Sequence, residues 1–162
     1  MASEPGRAGA ASKRVARPRH EPEPGVRAMR SAAKPIVALM GFEAASLAVI
    51  SALHLTGTLA GGSKPFKPTG AGIAEGVICL VLIVGVVALA RDPERGRRIA
   101  LATLVFAILG FIVGLNFTVQ GGDPIDVVYH ATVLPLLVVT LIAVTGHPFR
   151  RAGVARRARS PE

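Results

Sequence analysis

GFIVGLNFTVQGGDPIDVVYH, residues 110–130, is the stretch whose reading decides the fold. An apolar run arrives at Val119, the pair Gly121-Gly122 turns the chain, and Asp123-Pro124 starts it again. Aspartate as N-cap, with proline at the first helical position, is a strong helix start. Asp126 then falls in the first turn, where the helix dipole favours a negative charge. Two apolar helices joined by so short a turn must lie antiparallel. Each is about 20 residues long, enough to cross a bilayer.

Working outward, the same kind of run occurs four times, over 36–59, 70–90, 99–119 and 125–145. Hydrophobic residues make up 51% of the 162, which leaves almost nothing for a separate soluble core. The expected fold is all-α: a four-helix transmembrane bundle, up-down-up-down, with disordered basic N- and C-terminal tails. Residues 1–34 read as a disordered arm, because prolines interrupt it and it has too little apolar surface to offset the entropy of ordering. Residues 35–146 form the membrane domain and 147–162 a basic tail. The first run lacks a small-x-small cleavage site and follows a long basic region, so it reads as a retained span and not as a signal peptide. Pro135 removes one backbone hydrogen bond and should kink the fourth span. Gly57 is the expected stop of the first.

Seventeen of the 19 Lys and Arg lie before the first span, between the second and third, or after the fourth. Basic residues collect on the cytoplasmic side. Both termini and the RDPERGRR turn are therefore expected in the cytoplasm, and the chain in the plasma membrane as a multi-pass protein. The formal net charge of +9 makes anionic lipid at the cytoplasmic face the expected partner of the tails, rather than nucleic acid. Small residues at Gly41, Ala45, Ala48 and Ala52, and the GxxxG pairs Gly72/Gly76 and Gly110/Gly114, allow close helix packing within the chain or in a homo-oligomer.

With that threading, His54, Glu75, Asn116, Asp126, Tyr129 and His130 fall in one layer near the outer ends of the spans. Ionisable groups inside a membrane are costly and face a bundle interior or a cavity. Imidazole, carboxylate and imidazole from three helices suit a transition metal, so His54, Glu75 and His130 form a candidate ligand set, with a metal or haem as the cofactor. The same residues also read as ordinary helix-end groups: a Glu75–His54 or Glu75–His130 hydrogen bond would satisfy them, Asn116 would bond between helices, and Tyr129 suits an interfacial belt. Glu43 stands apart, deeper in the first span, with Ser46, Thr103 and Thr140 as expected partners. It shares a helix face with His54, roughly 16 Å away along the axis, and is the candidate proton-titrating group. His20 and His147 lie outside the layer. Cys79, the lone cysteine, reads as a small buried apolar side chain.

No catalytic motif is present: the sequence has no GxSxG, HExxH, Walker loop or dinucleotide fingerprint. A non-enzymatic integral membrane protein is the leading expectation. A metal- or haem-binding, redox-capable protein and a small carrier or proton-conducting oligomer are the alternatives. In its Ala/Arg/Gly/Val bias and in the run GLNFTVQGGDPIDVVYH, the chain resembles the small four-span membrane proteins of high-GC bacteria. That resemblance implies the fold and brings no activity with it.

Overall fold

The computed structural model describes residues 24–61 and 66–146. The basic arm over 1–23, the tail over 147–162, His20 and His147 lie outside the described residues. Four helices follow one another: α1 (Pro24–Leu55), α2 (Pro68–Arg91), α3 (Pro93–Gly121) and α4 (Pro124–Thr145). All four are long and apolar enough to cross a membrane. Consecutive helices pack side by side and α4 closes back on α1. The bundle is up-down-up-down, and the described residues include no strand.

Proline starts are the local rule. Asp92 ends α2 and begins α3 alone, its carboxylate accepting from the Glu94 and Arg95 backbone N–H groups at 3.1 and 3.2 Å. The RDPERGRR segment is thus not a free turn, because most of it is the opening of α3. Asp123 does the same for α4, accepting from Ile125 N–H at 2.8 Å. At the end of α1, Gly57 takes φ +77°, a conformation glycine adopts without strain, and its N–H donates to the His54 carbonyl at 3.2 Å. Helix α1 starts at Pro24, well inside the segment expected to be disordered. The run VRAMRSAAK after that proline is rich in good helix formers, and Pro24 suits a first helical position. Helix α4 runs through Pro135 without interruption.

The inner faces carry Met40, Leu47, Leu82, Leu104, Phe111 and Leu137, all essentially inaccessible. The outer faces carry Leu80 and Val128 (each 65% exposed), Ile125 (64%) and Phe42 (63%). Apolar side chains this exposed all round a molecule make sense in lipid and not in water. Lipid supplies no hydrophobic drive between helices, so close van der Waals contact has to do that work. Glycines provide it. A Cβ on Gly72 would meet Leu55 Cγ at 2.9 Å and His54 Cβ at 3.0 Å, and one on Gly110 would meet Ile78 Cδ1 at 2.6 Å. Both GxxxG pairs therefore serve packing inside one chain. The α1 stripe does not: Ala45, Ala48 and Ala52 are exposed, because the buried face of α1 is the one that carries Glu43 and His54.

Candidate functional site

At the end of the bundle where α1 and α3 finish and α2 and α4 begin, four buried side chains converge. His54 sits in the last turn of α1 and Glu75 roughly 10 Å into α2. Asp126 is in the first turn of α4, with His130 one turn further on. Their accessibilities are 1%, 3%, 0% and 4%.

His54 is held between two carboxylates. Its Nδ1 lies 2.8 Å from Glu75 Oε2 and its Nε2 lies 3.5 Å from Asp126 Oδ2. A neutral imidazole has one N–H. If Nδ1–H donates to Glu75, the Nε2 lone pair faces the lone pairs of Asp126. That arrangement is repulsive unless a proton or a cation lies between them. Thr118 Oγ1 is 3.2 Å from the same Asp126 oxygen and 2.9 Å from the Gly114 carbonyl. His130 Nδ1 lies 3.0 Å from both the Asp126 carbonyl oxygen and Asp126 Oδ1. Both atoms are acceptors, so Nδ1 carries the proton. It aims at the carbonyl, which leaves Oδ1 without a hydrogen bond of its own. His54 Nε2 and Glu75 Oε1 are likewise buried without a hydrogen bond. Unpartnered buried polar atoms are rare in folded chains.

Local packing explains why this geometry is held. Ser51 donates to the Gly72 carbonyl at 2.6 Å, pinning α1 to α2 one turn from the His54–Glu75 pair. Phe66 and Leu59, both buried in the connection between those helices, fold over the bundle end, and the Phe66 ring lies 5.8 Å from the His54 ring. Gly61, at φ +65°, leaves room for the Phe66 ring beside it. On the other side Phe111 lies 4.9 Å from the His130 ring.

Not every residue of the sequence layer joins this cluster. His54, Glu75 and Asp126 each offer a ligand atom within 4.8 Å of the others. His130 reaches the group through Asp126. Tyr129 is half-buried, and its hydroxyl lies 3.0 Å from Ser46 Oγ on α1. Asn116 is exposed on α3. Thr118, Ser51 and Phe66 join or brace the cluster from outside the set of ionisable residues. Thr118 was detectable, since Phe111, Gly114 and Thr118 follow the three-to-four spacing of one helix face. Ser51 and Phe66 carried no such signal.

Deeper in the bundle, Glu43 is fully buried. Its Oε1 accepts from Thr140 Oγ1 at 2.6 Å, and Oε2 has no hydrogen bond. Thr103 donates instead to the Ala100 carbonyl, and Ser46 to the carbonyl of Glu43. Cys79 is buried with its thiol 3.1 Å from the Ala44 carbonyl.

A groove of about 720 Å³ between α2 and α3 opens sideways beside the cluster. Val77, Phe106, Leu109 and Val113 form its rim, and Glu75, Thr118 and His130 are its buried polar members. Compared with known proteins, the chain matches no family model, no curated protein and no solved structure.

Proposed function

We propose that this four-span protein binds a divalent transition-metal ion between His54 Nε2 and Asp126, with Glu75 holding the far side of the His54 ring. One observation carries the reading: His54 Nε2 faces Asp126 Oδ2 at 3.5 Å with no hydrogen bond to that nitrogen. Two ligands about 2.0–2.2 Å from a tetrahedral ion stand roughly 3.4 Å apart, so this gap already has the right width. Charge agrees. Two ionised carboxylates beside a neutral imidazole carry a net −2, and a divalent cation brings the group to zero, whereas burying that charge without compensation is expensive. Glu75 fixes the His54 ring through Nδ1, the outer partner that metal-bound histidines usually have. The gap admits a single ion and not a porphyrin, so the reading favours a metal over haem. His130 supports Asp126 and is not itself a ligand.

Protein purified in mild detergent, loaded with Zn²⁺ and desalted, should retain the metal in stoichiometric amount. His54→Ala and Asp126→Asn should each lose it. Wild-type protein that keeps no metal, or variants that keep as much as wild type, would overturn the reading.

A proton-conducting role is the second reading, favoured by Glu43. Its free carboxyl oxygen is buried in mid-bundle, and the Ser46–Tyr129 contact lies between it and His130. Proteoliposome proton flux that is lost in Glu43→Gln would support it.

The basic ends of the helices suit a cytoplasmic placement in a bacterial plasma membrane. Arg30, Lys34 and Arg91 line a groove of about 370 Å³ with Val37 and Leu89 in its walls, a combination that fits an anionic lipid headgroup and the start of its chain.

A further inference from the structure

At the end of the bundle away from His54, the start of α1 and the end of α2 enclose a groove of about 370 Å³. Arg30 and Lys34 stand on its α1 wall, about one turn apart, and Arg91 stands on its α2 wall. All three are exposed, and among the described residues none of their side chains has a hydrogen bond or an ion pair. No acidic side chain lines the groove. Asp92, next to Arg91 in sequence, is taken up by the start of α3, where it accepts from the Glu94 and Arg95 N–H groups.

The remaining lining is apolar. Leu89 is buried in the groove wall, and Val37, Ala38 and Ala90 lead along both helices into the apolar runs, with Ala38 and Ala90 exposed. A ligand that fills both parts must be anionic at one end and apolar at the other. An acidic peptide or a nucleic acid would leave the apolar part empty. A phospholipid matches both, and basic pockets between spans at this level hold lipid phosphates. The cations also speak to the number of phosphates. Arginine takes phosphate on a planar fork, two hydrogen bonds at a time. The groove has one fork on each wall, with Lys34 as a point charge beside the first. A single phosphodiester would leave two of the three cations uncompensated, whereas two phosphates leave one.

We infer that this groove holds one phospholipid with two phosphates, of the diphosphatidylglycerol class, with one phosphate at Arg30 and Lys34, the other at Arg91, and an acyl chain against Val37 and Ala90. The inference rests on the reading of this end of the bundle as the one that meets anionic lipid. It does not require a metal at the far end.

The test titrates full-length protein in mild detergent with diphosphatidylglycerol, phosphatidylglycerol or phosphatidylcholine, and counts bound lipid by native mass spectrometry. One diphosphatidylglycerol should bind first, with an apparent affinity roughly tenfold above that of phosphatidylglycerol. Arg30→Gln combined with Arg91→Gln should lower that affinity by about tenfold or more. Arg95→Gln combined with Arg98→Gln removes the same charge from exposed positions of α3 outside the groove, and should change it by less than about twofold. Ala90→Phe keeps every charge and fills the apolar part, and should also weaken binding. Circular dichroism checks that each variant keeps its helices. Equal losses in the two double variants would mean that net charge alone attracts lipid, and would overturn the inference while leaving the anionic-lipid reading in place. Equal affinity for the lipids with one and two phosphates, or undiminished binding in a folded Ala90→Phe, would have the same consequence. No preference over phosphatidylcholine would sink both.

Discussion

His54 Nε2 points at Asp126 Oδ2 across 3.5 Å, from the last turn of α1 to the first turn of α4. These residues are far apart in sequence, and their approach draws the α1 and α4 ends together. Because Nδ1 of the same ring is engaged by Glu75 at 2.8 Å, His54 is the hinge of the whole cluster.

Removing that hinge should therefore cost more than a cavity. His54→Ala leaves Glu75 and Asp126 buried and facing each other without the ring, and breaking a buried ionic group in this way costs about 3–5 kcal/mol. Adding Glu75→Gln and Asp126→Asn to His54→Ala should recover part of the loss. SDS-titration unfolding in detergent measures both, and a single substitution costing under about 1 kcal/mol would mean that the cluster is solvated.

Metal affinity should weaken on acidification. Protons compete with the ion for His54 Nε2 and for the carboxylates, so the metal-free state binds more protons and low pH favours it. Zn²⁺ titrations between pH 8 and pH 5 should show affinity falling throughout, and a flat profile would exclude imidazole and carboxylate as ligands.

Two glycines in neighbouring helices should respond in opposite directions. Gly72→Val forces a side chain against Leu55, His54 and the Ser51 carbonyl, and overpacking of this kind costs about 1–3 kcal/mol. Nothing lies within 4 Å of a Cβ on Gly41, so Gly41→Ala should stabilise α1 by up to about 1 kcal/mol through helix propensity. Only Gly72→Val should also lower metal retention, because it displaces His54. Equal effects at the two sites would contradict the packing described for α1 and α2.

Threading can be checked on two exposed residues at opposite ends of the bundle. In a Cys79→Ala background, Thr58→Cys and Arg95→Cys should label with impermeant maleimide from opposite sides of the membrane, Arg95→Cys from the cytoplasm. Labelling of Thr58→Cys from the cytoplasm would reverse the orientation.

Element order follows from local sequence signals. Apolar run length, the Asp123-Pro124 start and Gly57 are local signals, and helices in lipid must satisfy their backbone internally, so span and helix coincide. The same local chemistry at Asp92-Pro93 marked the start of α3, although the charges of RDPERGRR read as a turn. Depth along each helix was also legible, which is why His54, Glu75, Asp126 and His130 were placed in one layer. Azimuth was not. Rotation of each helix depends on which neighbour fills which gap, and the gaps are set by Gly72, Gly110 and Gly114 against particular side chains of other helices. That rotation left Asn116 exposed, turned Ala45, Ala48 and Ala52 outward, and put Asp126 rather than His130 against His54. It also selected Thr140 for Glu43 from three polar candidates. Pairings between helices are fixed by packing across space, and no periodicity within one helix encodes them.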